Sequence, residues 1–176
     1  AAEAGVVGGS IEDSTGNREH PIYDFSLAVE RVQAAVEAAR ALPFPFMLTA
    51  RAENLLHGRN DLDDTIKRLQ AFEAVGADVL YAPGVYDAKT IRTVTASLGK
   101  PFNLVMGFAD PTLTVDQIAA AGVKRISTGG AMERHALNAF LRSAREMKDK
   151  GSFSYVRDMA PVKEVRAAFN GSVPAP

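Results

Sequence analysis

The sequence predicts an α/β fold of repeated strand-helix units with parallel strands. Three observations carry this. Five short apolar runs of strand length are distributed along the chain. Each is followed by a segment whose apolar residues recur at helical intervals. The joints also repeat. A small residue and a glycine close a helix just before the next run, as in "AVGADVL", "SLGKPFNL" and "AAGVKRIS", and Gly76, Gly99 and Gly122 stand at equal intervals. Glycine past a helix end readily takes the left-handed conformation that closes it. This period fits a barrel or an open sheet.

The first run is "GVVGGSIED", residues 5–13, entered through "AAEAG", which has the same helix-end, glycine, strand form as the internal joints. In "DFSLAVERVQAAVEAARAL", Leu27, Val29, Val32, Val36 and Ala39 fall on helical spacings, with Asp24 as the N-cap. The second run is "FMLTARA", 46–52. Its helix, "DLDDTIKRLQAFEAVG", presents Leu62, Ile66, Leu69 and Phe72 on one face. Asp61 caps it, and Asp63 and Asp64 suit the positive end of the helix dipole. "DVLYAPG" (78–84), "PFNLVM" (101–106) and "RISTGG" (125–130) are the remaining runs, with "DAKTIRTVTASLG", "TVDQIAAAG" and "AMERHALNAFLRSAREMKDKG" between and after them. The runs are continuous rather than alternating, as expected for parallel strands covered on both faces. The tail resumes a helix at Pro161, and "GSVPAP" reads as a frayed end.

About five units fall short of the eight of a closed barrel. The chain opens on a helix end and has no initiator Met. The expectation is therefore the C-terminal part of a larger barrel: residues 1–176 as one domain, with 151–176 as a C-terminal helical extension and tail.

Composition narrows the function classes. The chain has 176 residues, 47% apolar and 23% charged, and a formal net charge of -1. That suits one globular domain with a sizeable core. No long basic run marks a nucleic-acid partner. No apolar run approaches the roughly 20 residues of a membrane span, and the first residues do not form a signal peptide. There is no cysteine, which excludes disulfides, thiolate metal sites and a cysteine nucleophile. A cytoplasmic location is compatible with this.

In parallel α/β folds the chemistry sits at the C-terminal ends of the strands. There the sequence places Ser10, Glu12 and Asp13 on the first strand, and Thr49 and Arg51, then Glu53, on the second. Tyr81 and Gly84 follow on the third, Asn103 on the fourth, and Ser127 and Thr128 on the fifth. A carboxylate beside an arginine on neighbouring strands suits a divalent cation with a small anionic substrate. The same residue types fit a plain rim ion pair between Glu12 and Arg51, and residue types alone leave both open. Glu12 and Asp13 are adjacent, so only one faces a barrel interior. "TGGAMER" lacks the phosphate-loop lysine and reads as a tight turn. His20 and His57 fall in loops on the presumed site side, and His135 lies in a helix.

"GGSIEDS", "LTARAEN", "FEAVGADVLYAPG" and "GVKRISTGGAMER", in that order, resemble the isocitrate lyase and phosphoenolpyruvate mutase superfamily over nearly the whole chain. The resemblance implies an (α/β)8 TIM-type barrel, here its last five units, whose last helix is exchanged between subunits. It implies chemistry through a magnesium-bound enolate of a 2-oxo acid. Glu12 matches the glutamate that holds Mg2+ through water. Arg51 matches the arginine that binds the substrate carboxylate or phosphonate, with Glu53 orienting it or the adjacent loop. Asn103, Asn17 and Ser127 are further expected substrate contacts, Asn17 in the manner of the mutase gating asparagine.

The departures weigh against isocitrate-type cleavage. The loop "STGNREHPIYD" carries no cysteine, Pro83 stands where lyases have a glutamate, and Val105 stands where they have an asparagine, with Asn103 two residues earlier on the same face. The family's main magnesium aspartates lie on earlier strands. The resulting expectation is a Mg2+-dependent lyase or mutase acting on a small 2-oxo or phosphono acid, assembled as a homo-oligomer through its C-terminal helices. The alternatives are a 2-methylisocitrate-type C–C lyase and an incomplete, non-catalytic barrel.

Overall fold

The structure is a computed structural model and describes residues 2–171. It divides into two compact units, Ala1–Gly129 and Gly130–Pro176.

The first unit is a five-stranded parallel sheet in sequential order. Its strands are β1 (Gly8–Glu12), β2 (Met47–Arg51), β3 (Val79–Tyr81), β4 (Phe102–Val105) and β5 (Arg125–Ser127). The helices between them are α1 (Phe25–Arg40), α2 (Leu62–Ala74), α3 (Ala88–Ala96) and α4 (Val115–Ala120). All five expected strands are present, each shorter than its apolar run, because the flanking residues turn into the loops. A short 3-10 turn over Ala2–Ala4 precedes β1 and closes at Gly5, with φ at 77°.

One face of the sheet makes the core. Leu48, Ala50, Leu80, Phe102 and Leu104 alternate along their strands and pack with Val32, Val36, Leu69, Phe72, Ile91, Val94 and Ile118 of the helices. Phe72, Phe102, Leu69 and Leu80 are fully buried, each stabilising the fold by about 1.5–3 kcal/mol in removed apolar surface. The other face carries the opposite parity and is mixed, with Met47, Val79 and Val105 among polar residues. Cover on both faces is expected from the sequence, but among the described residues only the helix side is covered: on the other, Ser10, Thr49, Arg51, Tyr81, Asn103, Arg125 and Ser127 line an open trough.

Caps and joints fix the loops that carry the site. The Asp61 side chain accepts the N–H of Asp64 at 2.9 Å, as its position predicts. Asp24 stands at the N-cap of α1 but makes no side-chain cap bond. Gly76 and Gly122 are left-handed, with φ of 104° and 93°. Gly99 is not. Its N–H donates to Glu73 Oε2 at 3.0 Å, which ties the end of α3 to α2. At the N-terminal end of the sheet, Asp78 takes Arg40 Nη2 at 2.6 Å and the N–H of Leu48 at 2.8 Å, tying α1 to β2 and β3.

The second unit holds α5 (Ala131–Lys150), a 3-10 turn (Ser154–Asp158) and α6 (Val162–Phe169). Left-handed Gly151 ends α5, and Glu146 Oε1 accepts both the Ser152 hydroxyl and the Ser154 N–H. Pro161 precedes α6 as its N-cap. No residue of α5 or α6 is buried. The frayed end expected for "GSVPAP" lies, beyond Gly171, outside the described residues.

Candidate active site

The trough has a volume of about 660 Å³. Its organising feature is a single register row across the whole sheet: Glu12, Arg51, Tyr81, Asn103 and Arg125 are successive ladder partners on β1 to β5. In parallel strands, row partners point to the same face. The row itself is polar, and its neighbours two positions along, Val79 and Val105, are apolar on the same face.

Arg51 ends β2 and is held on three sides. Its Nε donates to Glu53 Oε1 at 2.7 Å, its Nη2 lies 3.3 Å from Glu12 Oε2, and its guanidinium carbon sits 4.9 Å from the centroid of the Tyr81 ring. Burial alone would lower the Arg51 pKa. The hydrogen bond and charge of Glu53, with Glu12 and Tyr81, outweigh it and hold the pKa above the ordinary value. Arg51 is thus a permanently charged planar fork in a fixed orientation, suited to bidentate recognition of a carboxylate or phosphonate.

Glu53 is buried and half of a counter-ion pair. Burial pushes its carboxyl above the usual range. The Arg51 bond opposes that, and the nearby charges of Glu12 and Asp13 add to it. Tyr81 is raised too, by burial first, with Arg51 pulling the other way. In the register row Tyr81 stands between Arg51 on β2 and Asn103 on β4.

Asn103 is buried in the row. Its Nδ2 donates to Ser127 Oγ at 3.0 Å and its Oδ1 accepts from Arg125 Nη1 at 2.6 Å. Its amide thereby presents Ser127 and Arg125 to the trough. Arg125 escaped sequence reading as a site residue. The available signal was period two, since it stands two positions before Ser127 on the same face.

Asn17 lies in the loop after β1, where its Oδ1 accepts the N–H of Glu19 at 2.9 Å. It is not among the trough residues. His57 Nε2 sits 3.2 Å from Ser14 Oγ, which joins the loops after β1 and β2. His20 belongs to the same loop as Asn17, and neither histidine lines the trough.

Asp13 is turned to the helix side, as its adjacency to Glu12 requires. It is fully buried and accepts the backbone N–H of Glu53 at 2.8 Å and Arg68 Nη1 at 3.1 Å. Glu12, half-exposed, is the carboxylate that the row brings to the mouth of the trough. Among the described residues no group of three or more His, Cys, Asp or Glu side chains could hold a metal ion. The residues described therefore do not fit a divalent-cation site by themselves, since Mg2+ needs several oxygen ligands in near-octahedral order.

Comparisons with known proteins follow the same lines. The family model described as phosphoenolpyruvate phosphomutase matches residues 1–148. Oxaloacetate decarboxylase 2 of Pseudomonas fluorescens (strain Pf0-1) is 29% identical over 149 residues, 82% of this chain and 50% of that protein. The crystal structure of a provisionally assigned lyase/mutase from Burkholderia cenocepacia J2315 is 57% identical, with a TM-score of 0.92, over 96% of this chain and 61% of that one. Phosphonopyruvate hydrolase, solved in complex with oxalate and Mg++, shares the fold with a TM-score of 0.77 at 24% identity, over 97% of this chain and 60% of that one. The chain spans about half the length of the curated relatives it matches. The family match and these structures share the α/β barrel-type fold to which the five-stranded parallel sheet belongs. Among the described residues no helix is long and apolar enough to cross a membrane.

Proposed function

We propose that this chain, which belongs to the phosphoenolpyruvate phosphomutase family, carries the substrate-anchoring wall of an enzyme that acts on a small 2-oxo or phosphono acid. The observation that carries the reading is Arg51, fixed by Glu53 at the end of β2 and lining the trough. A bidentate carboxylate or phosphonate is the ligand for such a fork.

Catalysis in this class requires stabilising the enolate that forms when a C–C or P–C bond of the 2-oxo acid is broken. Arg51 holds the acid group and so fixes the reacting carbon. Its ring platform, Tyr81, prevents the guanidinium from swinging out. Ser127 and Arg125, presented by Asn103, supply a hydroxyl and a second positive charge on the same face. Developing negative charge on the substrate meets two guanidiniums and is stabilised by them. Glu12, beside Arg51, keeps the mouth from being uniformly positive.

Magnesium is proposed as the cofactor of the complete site on the family resemblance, with Glu12 as this chain's contribution through water. The described residues do not complete such a site, and the roles of Arg51, Arg125 and Ser127 do not depend on it. Cytoplasmic location is the matching proposal, since these 176 residues hold no cysteine. Assembly is proposed through the second unit, where Phe140, Leu141, Met147, Val165 and Phe169 are exposed.

The test is a screen of the complete protein, with and without Mg2+, against oxaloacetate, phosphonopyruvate and 2-methylisocitrate. Turnover of one of the first two, lost with Arg51→Ala, supports the proposal. Turnover of methylisocitrate alone favours the C–C lyase alternative.

A further inference from the structure

We propose that Arg68, on α2, is a positioning residue for Arg51, acting through two carboxylates that each fix one of the consecutive residues Glu53 and Asn54. Arg68 is buried at 3% exposure and does not line the trough. Its guanidinium bridges two acids. Nη1 donates to Asp13 Oδ2 at 3.1 Å and to the Tyr23 carbonyl at 3.0 Å, and Nε donates to Asp64 Oδ2 at 2.8 Å.

Each acid then reaches the segment that follows β2. The other oxygen of Asp13, Oδ1, accepts the backbone N–H of Glu53 at 2.8 Å. Asp64 Oδ2 accepts Asn54 Nδ2 at 2.7 Å. A carboxylate only accepts here, so the Asn54 amide must point its nitrogen this way. Asn54 is fully buried, and its Nδ2 also lies 3.4 Å from Thr65 Oγ1. Two neighbouring residues are thus pinned to one guanidinium, one by its main chain and one by its side chain. The first of them, Glu53, holds Arg51 Nε at 2.7 Å.

A role in stability alone would be served poorly by this arrangement. Burying a guanidinium with two carboxylates carries a desolvation cost that well-packed apolar residues of the same volume would avoid. What an apolar cluster could not do is fix the direction of the Glu53 carboxylate, because that needs the 53–54 backbone held by directional bonds. The geometry therefore gives Arg68, Asp13, Asp64 and Asn54 a shared role. They keep Glu53, and through it the plane of Arg51, in register with the trough.

The functional meaning of this relay rests on Arg51 as the substrate anchor, but the measurement uses no substrate. Failure of the turnover screen therefore leaves the positioning standing, and failure here leaves the substrate reading standing. The experiment is hydrogen exchange of the Arg51 Nε–H and of backbone amides by NMR on the 176-residue chain, wild type against Arg68→Met. The expected result is Arg51 Nε–H exchange at least about tenfold faster, with the β2, β3 and β4 amides changed by less than about threefold. Wild-type protection of the Arg51 Nε–H in folded Arg68→Met overturns the proposal. So does an equal acceleration of Nε–H and strand amides, which marks general loosening. If Arg68→Met does not fold, Arg68→Lys decides. Its ammonium keeps the charge but cannot fork between two carboxylates. Selective acceleration at Arg51 then supports the relay, and unchanged protection overturns it.

Discussion

Arg51 and Glu53 are bonded at 2.7 Å, although only Arg51 belongs to a strand and the Glu53 carboxylate is almost wholly removed from solvent. The bond uses the Nε edge of the guanidinium, so Arg51 is oriented before any ligand arrives.

Replacing Arg51 by lysine should therefore do more than weaken one contact. A lysine ammonium is a point charge and cannot satisfy Glu53 and a substrate acid group in two fixed directions. In the complete enzyme, Arg51→Lys should raise KM by about tenfold to a hundredfold, equivalent to roughly 1.4–2.8 kcal/mol, with a smaller fall in kcat. Steady-state kinetics check this, and an unchanged KM counts against the anchor.

The buried acids give a pH signature of defined sign. Glu53 and Asp13 have folded pKa values raised above the ordinary ones, chiefly by burial. A raised folded pKa gives a stability contribution that is present below the unfolded value and lost as pH rises through the folded value. Wild type should gain stability relative to Glu53→Gln as pH falls from about 7 into the ordinary carboxylate range. Asp64 has the opposite sign. Burial would raise it, but Arg68 and Asn54 hold it below the ordinary value. Its contribution is lost only at lower pH, as pH drops through its folded pKa. Denaturant melts of wild type and Glu53→Gln across that range measure the difference, and a wild type that loses stability relative to Glu53→Gln toward acid contradicts the raised pKa of Glu53.

How much of this could be read from residues alone depends on distance along the chain. The units of the sheet were legible because each strand is a local apolar run and each helix a local period. Glu12 and Arg51 were legible because both end strands in consecutive units, and their 3.3 Å approach follows from ladder register. The bond from Arg68 to Asp13 was not, because it joins residues 55 positions apart and α2's apolar stripe gives no hint that its arginine is buried. Asn103 was legible as a residue of the row. Its commitment to Ser127 and Arg125 was not, since that depends on which rotamers meet across β4 and β5.

Magnesium should bind the 176-residue chain no more tightly than the millimolar range. One half-exposed carboxylate, already beside Arg51, is a poor site for an ion that needs several ordered oxygens. Isothermal titration calorimetry checks this. Micromolar binding abolished by Glu12→Gln would show that these residues form a fuller site than their geometry indicates.

Assembly should depend on the second unit. Phe140 is 68% exposed and Phe169 is 88% exposed, and α6 is too short to be stable on its own apolar stripe. Light scattering at micromolar concentration should report a dimer or larger species, and Phe140→Glu with Phe169→Glu should shift it toward monomer. A wild-type monomer refutes the proposed surface.

The trough is proposed as the anchoring wall of a 2-oxo or phosphono acid site. The most direct test is the rate at which the complete protein consumes oxaloacetate or phosphonopyruvate in the presence of Mg2+, above the protein-free rate, for wild type and Arg51→Ala. Wild type should turn over at least one of the two, and Arg51→Ala should lose at least about a hundredfold in kcat/KM. Absence of turnover with both substrates, or turnover that Arg51→Ala leaves intact, would contradict it.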